Sequence, residues 1–367
     1  ATALGIRAAR LPIRENLPSV TNQILNIDTA LKVLCEKYSG KDWEDALRAA
    51  LPTRRWRSFA RRSMSCVEVL SLLVVMTSGV GYVMAAPGGL DWLVLLWTVV
   101  GTFLCACSAN GLNQVIEHRR DALMDRTKDR PVPTGSISPQ HGWVFCMVTG
   151  YAGLSMLSLL VNLPAAGLAL ATMLIYVLLY TPMKVHTTLN TLVGAVVGGI
   201  PPLIGWVAAS GTITTGALIL AAILFVWQLP HFLALAWMYR DDYNRAGFKM
   251  LPGVPGGEHL TCEVVLLTTL LLIPLGLSAT MIGIAGVVYG ICSLLLGIGF
   301  LLPAVQFFRV RDRTSARRVF FASLLYLPLM MCVMIADRGE EVPSRSTVLV
   351  LQEMDAVPTS APRPDDF

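Results

Sequence analysis

Lysine and arginine are missing from most of this chain: none occurs in 63–118, 131–183, 185–239, 250–308 or 319–337. Those that remain between 63 and 337 fall only in alternate gaps between long apolar stretches, the pattern left when the inner-side loops of a membrane protein keep the positive charge. Nine stretches have the length and apolarity of spans, at about 64–86, 90–112, 142–161, 164–182, 190–209, 213–237, 260–283, 286–307 and 318–336. The basic gaps lie before span 1 and between spans 2 and 3, 4 and 5, 6 and 7, and 8 and 9. The opposite connections, 86–91, 161–164 and 210–215 among them, are short and almost uncharged. An odd number of spans then puts the N-terminus with the basic loops on one face and the C-terminus on the other.

Composition agrees with an all-α polytopic membrane protein. A soluble chain of 367 residues would hold about two domains, but 54% hydrophobic residues, 14% charged residues and a mean hydropathy of +0.60 leave the length to the spans. The net charge of +5 belongs to the inner face and a basic N-terminus, so no nucleic-acid partner is expected. Eight cysteines show no CxxC spacing; Cys105 and Cys107, two apart on a helix, read as packing residues.

Three regions follow. Residues 1–62 form an extension whose first fourteen residues carry Arg7, Arg10 and Arg14 with no acid before Glu15, the character of a mitochondrial presequence. It ends in a collar of Arg54, Arg55, Arg57, Arg61 and Arg62 that reads as a topology anchor. Residues 63–337 hold the nine spans. Residues 338–367, with Glu340, Glu341, Asp365, Asp366 and several prolines, have the composition of a disordered tail.

One inner-side segment, NQVIEHRRDALMDRTKDRPVP at 113–133, abuts span 2. Ionisable groups at a membrane boundary are costly to keep, and a solvated orienting loop is the ordinary reason for them. Here the spacing says more. On a helix Asn113, Glu117, Asp121 and Asp125 fall four apart and share one stripe, which suits a hard divalent cation. Arg126, Lys128 and Arg130 follow, then Pro131 and Pro133, which end any helix. Carboxylates for Mg²⁺ beside fixed cations are what a diphosphate requires. A second cluster, YRDDYNRAGFKMLP at 239–252, follows span 6 and carries Asp241, Asp242, Arg245 and Lys249. Two such clusters at the inner ends of two spans point to one bipolar site.

With NQVIEHRRDALMDRTKDRP at 113–131 stand YTPMK at 180–184, NTLVGAVVGGIPPLIGW at 190–206, WQLPHF at 227–232 and DDYNRAGFKML at 241–251. Together these resemble the UbiA superfamily of intramembrane prenyltransferases, and within it the branch that farnesylates haem. The likeness runs from about Met64 to about Tyr326. It implies nine helices around a central cavity in which Asn113, Glu117 and Asp121 bind Mg²⁺ and, through it, farnesyl diphosphate. It further implies that Asp241 and Asp242 hold a second metal, that Asp242 takes part in catalysis, and that Arg126, Lys128, Arg130 and Lys184 meet the diphosphate oxygens. The chain departs from the pattern at Glu117, where most of the superfamily has aspartate, and at Val185, where the haem branch has a basic residue. The resemblance also implies residence in the mitochondrial inner membrane, with the N-terminus and the active-site loops on the matrix side.

WQLPHF supplies the haem side of this reading. Pro230 removes a backbone hydrogen bond from span 6 and is expected to kink it. His231 and Trp227 are the residues expected to meet haem B, which is a substrate; the plainer role for His231 is an interior hydrogen bond. Pro201 and Pro202 read as a break in span 5, and Gly194 and Gly198 as a GxxxG contact. Two alternatives remain. One is a prenyltransferase of the same fold acting on a quinone precursor or a chlorin. The other is a transporter, which predicts polar groups at the bilayer midplane and an internal repeat.

Overall fold

The computed structural model describes residues 72–86 and 89–339. The presequence-like segment, the arginine collar and the tail beyond 339 lie outside the described residues. Eight described helices are long and apolar enough to cross a membrane: α2 Trp92–Asp121, α3 Pro139–Leu160, α4 Leu163–His186, α5 Asn190–Ser210, α6 Thr215–Met238, α7 Gly257–Met281, α8 Val287–Val310 and α9 Arg313–Ala336. They are preceded by a shorter apolar helix, α1 Leu72–Ala85, within the first expected span. The helices begin where the sequence supplies caps. Asp91 accepts from the backbone of Leu93 and Val94, Ser138 from His141 ahead of Pro139, and Asn162 from Ala165. Asp312 and Ser315 form a capping box at the start of α9.

Two helices are centres of packing. In α5 and α6, 61% of the apolar window is buried, against 22% in α3 and 17% in α4. The remaining apolar surface faces outward, as on α3 with Val144, Phe145, Val148 and Tyr151, which is where lipid replaces protein as the apolar solvent. The main core runs through Trp206, Trp227 and Trp237 to Tyr289, Phe300, Phe307 and Tyr326, joining α5 and α6 to α8 and α9.

The prolines act differently from one another. Span 5 divides into Asn190–Gly199 and Pro201–Ser210, with Pro201 opening the second segment. By contrast α6 runs from Thr215 to Met238 with Pro230 inside it, so the helix is not interrupted there. In α4 the turn Ile175–Tyr180 widens to a π-helix just before Thr181 and Pro182. Pro182 has no N–H to return to the preceding turn and its ring would crowd the carbonyl there; the wider turn makes room.

The basic loops meet over one end of the bundle. Lys249 N donates to Lys184 O at 2.7 Å, Arg120 Nη1 to Ala246 O at 3.4 Å, and Arg245 Nη2 to Asp125 Oδ2 at 2.9 Å. The connections after α2, α4 and α6 therefore close together, as the charge pattern requires.

Small residues set the closest helix approach. A Cβ on Gly205 would lie 1.7 Å from Ser78 O, and one on Gly81 2.1 Å from Pro202 O, so α1 and α5 cross backbone to backbone. Gly205→Ala must push the two helices apart, at about 1–3 kcal/mol. We expect its unfolding temperature in detergent to fall clearly, while Gly167→Ala, which meets nothing within 4 Å, stays at or above wild type. Equal melting of the two variants would contradict the crossing.

Candidate active site

Between α1, α2, α4, α5 and α6 lies one cavity that is polar at the end beneath the basic loops and apolar elsewhere. Its polar end is built from the last two turns of α2. Asn113, Glu117 and Asp121 face inward at four-residue intervals and are all buried, at 7%, 7% and 1% exposure. Lys184, at the end of α4, donates from Nζ to Glu117 Oε2 at 3.0 Å and to Asn113 Oδ1 at 3.2 Å. Asn113 Nδ2 donates to the same Glu117 oxygen at 3.0 Å, and Thr181 Oγ1 donates to Asn113 Oδ1 at 2.8 Å. Arg130 returns from the loop to donate to Asp121 Oδ2 at 2.7 Å. Each buried carboxylate thus has its own cation, which is how charge is kept in a water-poor site.

Aromatic rings surround these cations. Lys184 Nζ stands 4.6 Å from the centre of the Tyr180 ring, with Tyr176 next to it at 5.1 Å between ring centres. Arg126 lies over Tyr239 and Tyr243 at 5.7 and 5.9 Å and donates to Tyr243 Oη at 3.3 Å. The π-helical turn brings Tyr176 and Tyr180 to the cavity together. Gly194 is where Tyr180 packs, since a Cβ there would lie 2.8 Å from the ring. Gly198 does the same for Gln228, whose amide would be 2.0 Å from that Cβ. The GxxxG expected to join helix backbones therefore receives side chains instead.

Farther in, the wall is formed by α6. His231 is 9% exposed, and its ring stacks between Trp227 at 5.1 Å and Phe320 at 4.8 Å. Its Nδ1 is 2.8 Å from Ser323 Oγ. Trp227 Nε1 donates to Ser323 O at 2.9 Å, so both WQLPHF residues are tied to one residue of α9. Gln228 is 5% exposed, lines the cavity and has no hydrogen-bond partner among the described residues.

Eight of the site residues expected from sequence meet in this cavity: Asn113, Glu117, Asp121, Arg126, Arg130, Lys184, Trp227 and His231. Four expectations are not met. Helix α2 ends at Asp121, so Asp125 leaves the carboxylate stripe and lies on the surface between Lys128 and Arg245, at 2.6 and 2.9 Å. These hydrogen bonds, Lys128's first, hold its carboxyl down at about 2. Lys128, half exposed, is used by that pair and does not line the cavity. The short helix Arg240–Arg245 turns Tyr243 to the cavity, leaves Asp241 in solvent and holds Asp242, 15% exposed, against Arg245. Asp241 is 92% exposed beside Arg240, and Asp242 is paired with Arg245, so neither carboxylate reaches the cavity. Nor do three or more His, Cys, Asp or Glu side chains converge as a ready metal centre among the described residues.

Does the donor set suit Mg²⁺? Asn113, Glu117 and Asp121 offer only oxygens, and Glu117 Oε1, 3.0 Å from Lys184 Nζ, receives no directed hydrogen bond. Mg²⁺ is commonly held by one or two carboxylates with waters and substrate phosphates completing six ligands. The residues fit that mode and do not form a full protein cage.

Sequence reading missed Tyr180, Gln228 and Ser323. Tyr180 lies four residues before Lys184 and Gln228 three before His231, spacings that already place each pair on one helix face. Nothing in the sequence marks Ser323.

Comparison with known proteins gives the family and the fold. Residues 74–325 match the UbiA prenyltransferase family, and the chain belongs to it. It is similar to proteins named protoheme IX farnesyltransferase: 42% identical over 271 residues to the mitochondrial one of Arabidopsis thaliana, covering 73% of this chain and 63% of that protein. The corresponding figures are 40% over 266 residues, 72% and 59% for the mitochondrial one of Homo sapiens. For Solibacter usitatus they are 40% over 278 residues, 73% and 95%. The matched stretch is thus about three-fifths of the mitochondrial relatives and nearly all of the bacterial one. The fold is shared with digeranylgeranylglyceryl phosphate synthase, at a TM-score of 0.63 and 17% identity over 76% of this chain and 98% of that one. It is shared too with a UbiA homologue of Archaeoglobus fulgidus bound to GPP and Mg²⁺, at 0.56 and 14% over 74% and 98%. Residues 1–56 match a different family, tRNA (guanine(9)-N(1))-methyltransferase TRM10/TRM10A; this stretch lies outside the described residues.

The Glu117–Lys184 pair yields a stability prediction. Lys184→Met strands a buried carboxylate, at about 3 kcal/mol, the lower end of the range for a broken buried pair because Asn113 still donates to it. Glu117→Gln with Lys184→Met removes both charges, so the double variant should unfold at a higher temperature than Lys184→Met alone. Additive losses in thermal unfolding would show that the two side chains do not depend on each other.

Proposed function

We propose that this protein transfers the farnesyl group of farnesyl diphosphate to a vinyl group of haem B, with water completing the product haem O. The observation that carries the reading is one cavity with two unlike parts: paired carboxylates and cations at the polar end, and an apolar wall bearing Trp227 and His231. The relatives named protoheme IX farnesyltransferase support the same acceptor.

Breaking the C1–O bond of farnesyl diphosphate leaves a diphosphate anion and an allylic cation. Arg130, Lys184 and Arg126 lie where the developing negative charge would be met, and preset charges in a water-poor cavity need little reorganisation as it forms. Glu117 and Asp121 would hold Mg²⁺, with Asn113 as a neutral oxygen donor. Mg²⁺ would supply Lewis-acid stabilisation of the leaving diphosphate. The vinyl π electrons form the bond to C1, and the resulting cation beside the macrocycle takes the oxygen of water, which releases a proton. The inputs are farnesyl diphosphate, haem B and water; the outputs are haem O, diphosphate and a proton. His231 would contact the iron or the ring, and Trp227 would bound the haem pocket.

Incubation of the detergent-purified chain with haem B, farnesyl diphosphate and Mg²⁺ should give a porphyrin heavier by one farnesyl group and one hydroxyl, read by mass spectrometry. Asp121→Ala should lower turnover by about 10³-fold, the scale of losing a principal electrostatic group, while haem binding stays near wild type. Full turnover in Asp121→Ala, or in excess chelator, would refute the metal role.

We further propose the mitochondrial inner membrane as the location, with the loops after α2, α4 and α6 in the matrix. Single cysteines introduced at Lys128 and Asp241 should react with impermeant thiol reagents only once the inner membrane is opened. Labelling in intact mitoplasts would place these loops on the opposite face.

A further inference from the structure

Ser323 lies in α9, outside the cavity lining, and makes three contacts that together fix the state of His231. Its carbonyl oxygen accepts from Trp227 Nε1 at 2.9 Å, its hydroxyl donates to Phe320 O at 2.6 Å, and Oγ lies 2.8 Å from His231 Nδ1. A serine hydroxyl has one hydrogen. At 2.6 Å, the carbonyl of Phe320 can only be receiving it, because two bare oxygens so close would repel. Oγ then has lone pairs alone to offer His231, and the proton in the 2.8 Å contact must be the imidazole's own, on Nδ1. A neutral imidazole carries one N–H, which leaves Nε2 with an open lone pair.

The surroundings fix where that lone pair points. Trp227 and Phe320 cover the two faces of the ring, with interplanar angles of 19° and 24°, so only an edge remains open. His231 lines the cavity, and Nε2 has no hydrogen-bond partner among the described residues. We infer that Ser323 is a positioning residue that holds His231 as the Nδ1–H tautomer, so that Nε2 is presented to the cavity as a ligand for the iron of a haem substrate. The arrangement is the one that orients ligating histidines generally, where the second nitrogen donates to a fixed oxygen. The tautomer follows from the contacts alone; its use toward haem rests on the proposed function.

The first measurement uses the wild-type full-length chain, labelled with ¹⁵N-histidine in detergent, without haem, with His231→Ala to assign the signal. Nε2 should be the unprotonated nitrogen, and a protonated Nε2 would overturn the inference whatever the acceptor substrate. The second is titration with ferric haem B, read in the Soret band. Ser323→Ala keeps the backbone carbonyl that holds Trp227 and removes only the side-chain acceptor. It should weaken haem binding several-fold and shift the band toward that of His231→Ala, with affinity for farnesyl diphosphate unchanged. Ser323→Thr, which restores the hydroxyl, should recover both, and it also serves if the alanine variant does not fold. If His231→Ala alters the haem spectrum and Ser323→Ala does not, the positioning role is wrong and the haem reading stands. If His231→Ala leaves the spectrum and affinity of wild type, the iron contact itself is wrong.

Discussion

The site depends on the buried pair between Glu117 of α2 and Lys184 of α4, whose ammonium nitrogen and carboxylate oxygen are 3.0 Å apart. With 7% and 14% of their side chains exposed, neither group could remain charged alone, since an isolated ion moved into a low-dielectric interior loses several kcal/mol even after relaxation. Asn113 bridges them by donating to the carboxylate and accepting from the ammonium, and Thr181 fixes Asn113 in turn. The arrangement has a chemical consequence. On the proposed function, a metal diphosphate would bring both signs of charge at once, so carboxylates could turn to the metal and cations to the phosphates. One set of pairs would replace another, and no new charge would have to be stripped of water unpaired.

The same economy explains why the fold was easier to read than the site. Spans are dictated by hydropathy and by where lysine and arginine are tolerated, and both are one-dimensional quantities. All eight long helices fall within a few residues of the expected stretches; α2 and α4 run on past the apolar residues into the charged ones, to Asp121 and His186. Asn113, Glu117 and Asp121 were legible because their spacing matches the helix that carries them. Asp125 was not, since the chain leaves the helix to bury Met124 at 3% exposure with Ala246, Phe248 and Met250. Tertiary packing overrode a periodicity that the sequence alone would continue.

The second acidic segment shows a subtler failure. Asp241, Asp242 and Tyr243 are consecutive on a short helix, so successive side chains point about 100° apart and Tyr243 alone of the three lines the cavity. The inward place goes to Tyr243, which stacks edge-on against Phe248 at 6.0 Å, a ring contact that desolvates no charge. Asp242 instead shares Arg245 with Asp125 and so joins the two charged loops over the cavity mouth. Val185, where a basic residue was expected, packs against the same cluster and leaves Lys184 as the cation of that loop within the cavity.

The α7–α9 part of the bundle supplies no lining to this cavity, yet it sets the wall that bears Trp227 and His231. Trp227 and His231 project from α6, but their directions are set from α9, by Ser323 and Phe320. An interior packed to crystal-like density transmits such constraints with little slack. The polar end, by contrast, is fixed through α2 and α4 and has no contact with α9. The two ends of the cavity thus have different anchors: Trp227 and His231 are held from α9 by Ser323 and Phe320, and Glu117 and Asn113 by Lys184 and Thr181 of α4. On the proposed function, a fold anchored this way could change its acceptor wall with limited change at the end that would activate the prenyl donor.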